Sequence, residues 1–270
     1  MYYVSPQIWA WRYRRIRRIR AHVDHMAVLF PFEKDLYDRE GIPCDFVGHP
    51  LLNLTQPHYQ DAQDNPSDRS QPITVALLPG SRRSEIERHL PVMVKSANRL
   101  LSYFPDLRII LLKGRHIDTE QLTPYLKDTP IDIISDNHHP ALARARCAIC
   151  TSGTITLETA LLGVPHVIIY RTHPINYWIA RRLVRIQRIG LSNLIAERSI
   201  APELLQDDAQ EDRITKAVLP LLTNARHYRL ICSELKRVRT SFGEHDHAAN
   251  AACVASQLIG FTYQNEPSEP

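Results

Sequence analysis

Two separate segments carry residue types suited to holding phosphate. In the first, the apolar run Val75-Ala76-Leu77-Leu78 breaks at Pro79-Gly80 and opens through Ser81-Arg82 into a polar, helix-forming stretch. In the second, Cys147-Ala148-Ile149-Cys150 stops at Thr151-Ser152-Gly153-Thr154 and becomes helical through Glu158. Each pattern predicts a strand, a tight turn and a helix N-terminus. Unpaired backbone N–H groups and the positive end of the helix dipole attract anions there. Two such turns on one parallel sheet suit a nucleotide diphosphate at the carboxyl ends of the strands. Glu158 lies one turn into the second helix, within reach of the hydroxyls of a ribose whose phosphates sit at the helix start. Neither segment is a G-x-G-x-x-G fingerprint or a P-loop. Taken singly, each is equally an ordinary strand-to-helix turn with a capped helix.

The elements that must position these turns alternate along the chain. Apolar strands are predicted at residues 26–30, 44–47, 74–78, 108–112, 131–134, 147–150 and 166–170, with helical patterns between most of them. From 74 to 170 the repeated strand–helix units imply a parallel, doubly wound α/β sheet. After Arg171 the pattern is mainly helical to about residue 260. Residues 55–72 are polar and rich in Pro, Asp and Gln, and read as a linker. The tail 263–270 reads as disordered.

Composition bounds the function. The chain has 270 residues, ample for a sizeable core, with 44% hydrophobic and 23% charged residues, the balance of a globular protein. The opening is aromatic and then basic, without the apolar run of a signal peptide. No stretch approaches the roughly 18 apolar residues of a membrane span. The 5 cysteines are scattered, as suits a reducing compartment. Cys147-x-x-Cys150 lies within a buried strand pattern and reads as core rather than a redox or zinc pair. His138-His139 and His245-Asp246-His247 read as solvent-facing turn or cap residues, and no metal is expected. The net charge is only +4. Basic residues nevertheless cluster at Arg12-Tyr13-Arg14-Arg15-Ile16-Arg17-Arg18-Ile19-Arg20 and at Arg181, Arg182, Arg185 and Arg188, the latter interleaved with Leu183, Val184 and Ile186. Either cluster alone is a solvated helix face. Together they also suit an anionic membrane surface or a phosphorylated lipid, at about 1 kcal/mol per basic residue. Nucleic acid would use the same charges, but no nucleic-acid module accompanies them.

Leu78-Pro79-Gly80-Ser81-Arg82-x-x-Glu85-Ile86 and Ser152-Gly153-Thr154-x-x-Leu157-Glu158 resemble the sugar-nucleotide signatures of the lipid-A-disaccharide synthase family. The resemblance continues, in the family's order, through Tyr3-Val4-Ser5-Pro6-Gln7-Ile8-Trp9-Ala10-Trp11-Arg12, Phe30-Pro31-Phe32-Glu33, Phe46-Val47-Gly48-His49-Pro50-Leu51, Tyr170-Arg171 and Asn193-Leu194-Ile195-Ala196. It extends to about residue 225. It implies a GT-B fold and an inverting, metal-independent transfer of 2,3-diacylglucosamine from its UDP derivative to 2,3-diacylglucosamine 1-phosphate, releasing UDP. No cofactor is implied. The donor-binding residues so implied are Gly80, Ser81, Arg82, Ser152, Gly153, Thr154, Glu158, Arg171 and Asn193. Gly190-Leu191-Ser192-Asn193 stands where the family usually has Ser-Leu-Pro-Asn. The resemblance also implies a cytoplasmic protein, peripheral on the inner membrane's cytoplasmic face.

The family's chain carries a further N-terminal stretch that includes its expected general base, so no catalytic base maps onto these residues. The expected organisation is therefore a remnant of the N-terminal acceptor domain (1–54), a linker (55–72), a UDP-sugar-binding domain (73–225), C-terminal helices (226–262) and a disordered tail (263–270). On this reading the chain by itself has little synthase activity and works as a homodimer or with a partner fragment. The alternatives are an inactive remnant that still binds UDP-sugar, or another GT-B transferase.

Overall fold

The structure is a computed structural model describing residues 1–64, 72–126, 129–173, 188–243 and 246–260, the side chains of 60–64 excepted. Its described residues fall into two units: residues 1–54 with 240–260, and residues 55–173 with 188–239.

The first unit is built on three short parallel strands, β1 (Tyr2–Tyr3), β2 (Met26–Val28) and β3 (Cys44–Phe46), in the order β1-β2-β3. Strand alternation sends Met26 and Val28 to one face, against Ile16 and Ile19 of α1 (Ile16–His22) and Tyr37 of α2 (Pro31–Arg39). Ala27, Leu29 and Val47 face the other way and meet Ala251 and Val254 of α11 (His247–Leu258). β2 ends at Val28, short of the expected residue 30, because Pro31 starts α2 and Glu33 at its third position accepts the Phe30 N–H (3.3 Å). In the basic block, Ile16 and Ile19 are buried while Arg14, Arg15, Arg17, Arg18 and Arg20 remain exposed. Arg181, Arg182 and Arg185 lie outside the described residues.

The second unit carries the larger sheet, six parallel strands in the order β6-β5-β4-β7-β8-β9. These are β4 (Thr74–Leu78), β5 (Arg108–Leu112), β6 (Ile131–Ile134), β7 (Cys147–Thr151), β8 (His166–Tyr170) and β9 (Glu203–Leu205). One face packs Val75, Leu77, Ile109, Leu111, Cys147, Ile149, Val167 and Ile169 against α4 (Arg83–Tyr103), α5 (Thr119–Leu126) and α9 (Glu211–Thr223). The other packs Ala76, Leu78, Ile110, Leu112, Ala148 and Cys150 against Leu142 and Ala143 of α6 (His138–Ala143) and the Leu162–Val164 turn. Central strands covered on both faces are apolar without alternation, which is why they read so plainly in the sequence.

Two expectations change and a third gains an element. Residues 55–64 are no linker: they continue α3 (Pro50–Asp64), whose Leu52 and Thr55 are buried. The stretch after Arg171 is mainly helical among the described residues, as expected, but with one strand not foreseen. It returns to the sheet as β9, hydrogen-bonded to β8. The C-terminal helices do not stand as one segment, since α10 (Ala225–Thr240) lies in the second unit up to Arg239 and α11 in the first. The tail expected to be disordered lies outside the described residues.

Candidate nucleotide-diphosphate site

The strand order places the two candidate turns side by side. From β4 the chain winds outward through β5 to β6, then returns to β7 and winds the opposite way through β8 to β9. The reversal falls between β4 and β7, and a crevice opens outside the carboxyl ends of the strands at such a point. Leu78 pairs with Cys150 across this seam, and the Thr151 hydroxyl donates to the Leu78 carbonyl (3.3 Å).

At the first turn Gly80 has φ +113°, and a Cβ there would come within 2.4 Å of Glu85 Oε2. Only glycine fits. The Glu85 carboxylate folds back over the turn and accepts the N–H groups of Ser81 (2.9 Å) and Arg82 (3.2 Å). The expectation that this backbone would receive phosphate is thus modified, because a carboxylate already occupies those donors. Arg82 remains available through its side chain, 81% exposed and only loosely paired with Glu85 at 3.6 Å.

The second turn is open. Gly153 has φ +150° and nothing within 4 Å of where a Cβ would stand, and Gly153 and Thr154 face solvent at the start of α7 (Thr154–Leu161). Its flanks are pinned by the loop that precedes α8 (Leu191–Ile195). Ser152 Oγ donates to the Ile189 carbonyl (3.0 Å), and the Leu191 N–H donates to Thr156 Oγ1 (3.1 Å). Ser152 therefore braces the turn. Glu158 sits 18% exposed, with Oε1 2.9 Å from His139 Nε2. His138 and His139, expected to face solvent, are instead partly buried, and pairing with Glu158 raises the His139 pKa above the ordinary imidazole value.

Asn193 is brought nowhere near open space. It is fully buried, and its amide is fully used. Its Oδ1 accepts the N–H groups of Ile200 and Ala201 (both 2.8 Å), while Nδ2 donates to the Ala201 carbonyl (2.7 Å) and Glu203 Oε1 (2.8 Å). Glu203 also accepts the Ile189 and Gly190 N–H groups (2.9 and 3.0 Å). Glycine at 190 is what this loop requires, because a Cβ there would meet Ile168 Cδ1 at 2.2 Å. Arg171 is likewise engaged: its N–H donates to His89 Nε2 (2.9 Å) and its Nη2 to the Ala209 carbonyl (2.6 Å). Gly80, Ser81, Arg82, Gly153, Thr154 and Glu158 thus stay at least partly exposed after β4 and β7, while Ser152, Asn193 and Arg171 hold the frame. The sequence reading overlooked Glu203, whose partners lie too far along the chain to leave a local signal. Cys147 and Cys150 are fully buried in β7, with thiols pushed up to about 12 by desolvation. Among the described residues no three His, Cys, Asp or Glu side chains are grouped to hold a metal ion, and no helix is long and apolar enough to cross a membrane.

Solved structures share this arrangement. The chain superposes on the S. aureus MnaA–UDP co-structure with a TM-score of 0.60 at 12% identity, covering 94% of this chain and 66% of that one. It superposes on the calicheamicin glycosyltransferase CalG4 at 0.56 and 19% identity, covering 90% and 53%. The Methanocaldococcus jannaschii UDP-GlcNAc 2-epimerase in complex with UDP-GlcNAc and UDP gives 0.54 and 14% identity, covering 87% and 61%. The protein therefore has the GT-B fold of glycosyltransferases and UDP-sugar epimerases. Sequence narrows the class further. The lipid-A-disaccharide synthetase family profile matches residues 1–257. Lipid-A-disaccharide synthases of Coxiella burnetii and Nitrosococcus oceani are 41% and 36% identical over 262 and 264 residues. Each alignment covers 96% of this chain but 69% and 68% of the relative's length. The chain belongs to the lipid-A-disaccharide synthase family, a hexosyltransferase family of lipid A biosynthesis, and this favours the synthase reading over another GT-B transferase.

Proposed function

We propose that the second unit holds the uridine diphosphate of UDP-2,3-diacylglucosamine, and that the protein serves transfer of that sugar to 2,3-diacylglucosamine 1-phosphate with release of UDP. The observation that carries this reading is the pair of turns at Gly80 and Gly153, adjacent at the reversal of strand order. The diphosphate would meet the open N-terminus of α7 and the Arg82 guanidinium, and the ribose hydroxyls would meet Glu158. Attack of the acceptor hydroxyl on the anomeric carbon, opposite the departing UDP, forms the new C–O bond as the bond to the β-phosphate oxygen breaks, with the hydroxyl proton passing to a general base that does not map onto these residues. This inverts that centre and leaves negative charge on the β-phosphate. Fixed N–H dipoles and a guanidinium aimed at that charge supply several kcal/mol of transition-state stabilisation. Because this charge stabilisation comes from the chain itself, and the sequence contains no Asp-x-Asp, donor binding should be independent of divalent metal.

The exposed arginines of α1 and its flank, with Trp11 beside Arg12 (4.5 Å from cation to ring centroid), suit peripheral contact with the anionic face of the inner membrane. Association as a homodimer or with a partner fragment belongs to the same proposal.

Isothermal titration with UDP and uridine tests the donor site. The expected result is UDP binding that survives EDTA, with Arg82→Ala weakening UDP about tenfold and uridine less than about twofold. Equal losses for the two ligands would refute the diphosphate role of Arg82, and loss of UDP binding in EDTA would refute the metal-free site.

A further inference from the structure

The Glu158 carboxylate is held from a second helix. His139 comes from α6, Glu158 from α7, and the pair joins these helices while only 24 and 18% of the side chains are exposed. We infer that His139 is a positioning residue, aiming the Glu158 carboxylate at the nucleotide's ribose diol and offsetting its charge beside the diphosphate. The inference rests on the reading that Glu158 receives the ribose.

Geometry supports it first. The His139 contact engages Oε1, and among the described residues Oε2 accepts no other hydrogen bond, which leaves it to a ribose hydroxyl. A carboxylate on a helix has several rotamers, and a buried N–H donor selects one of them. Charge supports it second. Glu158 is about one helical turn, or 5.4 Å, from the end of α7 where the diphosphate would sit. A bare carboxylate there repels a diphosphate, whereas an imidazolium–carboxylate pair is neutral overall.

The groups facing His139 agree with this assignment. From α7 it meets Glu158, which raises its pKa through the hydrogen bond and the ion pair against a smaller desolvation effect. From α3 it meets the His58 ring, 5.9 Å away between centroids. Its neighbour His138 points elsewhere, with Nε2 3.2 Å from the Ile134 carbonyl. Behind Glu158 on β7, the Cys150 thiol is pushed up to about 12 and carries no charge. Glu158 is thus the one anion acting on His139 among the described residues.

Titration of the full chain with UDP and uridine from pH 6 to 9 tests the assignment, using wild type, His139→Gln, His139→Leu and Glu158→Ala. Each variant's affinity is taken relative to wild type at the same pH, so that ionisation of UDP itself cancels. His139→Gln keeps a donor but no charge. It should bind uridine within about twofold of wild type yet bind UDP about tenfold more weakly at low pH, the deficit vanishing as pH rises and wild-type His139 loses its proton. His139→Leu, lacking both donor and charge, should weaken uridine and UDP alike at high pH and UDP further at low pH. A His139→Gln profile parallel to wild type for both ligands would overturn the inference, and this holds even if the Leu variant fails to fold. If Glu158→Ala weakens uridine but neither His139 variant does, the positioning role falls and the ribose reading stands. If Glu158→Ala leaves uridine binding unchanged, both fall.

Discussion

Replacing Asn193 with alanine separates a framework residue from a ligand-binding one. Asn193 is fully buried, and its side-chain amide makes four hydrogen bonds, two accepted and two donated. Truncation leaves both the N–H and the carbonyl of Ala201 without their Asn193 partners, at a residue only 2% exposed, while the Ile200 N–H keeps the Arg198 carbonyl (3.1 Å). Each such orphan costs about 1–3 kcal/mol. The Glu203 carboxylate keeps its two other backbone donors, so that side of the loop is partly preserved. Some relaxation toward water lowers the sum, and the expected loss is about 4 kcal/mol of unfolding free energy for the second unit. Urea denaturation followed by circular dichroism measures it. UDP titration well below the melting temperature should show an affinity within about threefold of wild type, because no atom of Asn193 is left to reach a ligand. The opposite outcome, a stability loss below about 1 kcal/mol with UDP affinity down tenfold or more, would refute the reasoning and return Asn193 to the donor site.

Two pH effects follow from buried groups. Glu33 accepts the Trp9 indole N–H (3.0 Å) in a dry setting that pushes its pKa up to about 7. The unfolded chain therefore releases a proton that the folded unit retains, and stability of the first unit should fall by roughly 3 kcal/mol as pH rises from about 4.5 to 7. pH-dependent melting checks this, and a slope unchanged in Glu33→Gln would contradict it. His166 is fully buried; its Nδ1 donates to the Val164 carbonyl (3.0 Å), its Nε2 accepts from Ser192 Oγ (2.9 Å), and desolvation lowers its pKa to about 4. Here the unfolded chain takes up the proton first. The second unit should lose roughly 3 kcal/mol between pH 6.5 and 4, and His166→Gln should flatten that acid limb in the same melting series.

The strands of the second unit were legible because each central strand is covered on both faces. Val75 to Leu78 and Cys147 to Cys150 are apolar throughout, and strand limits followed directly at β4, β5, β6 and β8. The turns at Gly80 and Gly153 were legible for a local reason: a positive φ and a helix start within a few residues leave a mark of glycine and small polar side chains. β9 left no such mark. Three residues at a sheet edge, each only partly buried, carry little periodicity, and their membership was settled by hydrogen bonds to β8. Residues 55–64 misled in the other direction, since polar composition suggested a linker while buried Leu52 and Thr55 hold the same stretch as helix.

What the sequence by itself determined, then, was the class of fold and the two turns, and it supplied the residues proposed to meet a diphosphate and a ribose. These properties depend on neighbours within one helical turn or one strand length, where residue type and backbone conformation are directly coupled. Only the tertiary structure decided which of those residues are free to act. Asn193 and Glu158 look alike along the chain, each a polar residue within the first turns of a helix after a tight turn. Folding brings the Ile200–Ala201 backbone and Glu203 around the first and saturates it, whereas among the described residues it brings the second a single His139 and leaves one oxygen open. Hydrogen-bond capacity is finite, and whether it is spent within the protein depends on segments distant in sequence that no local pattern encodes.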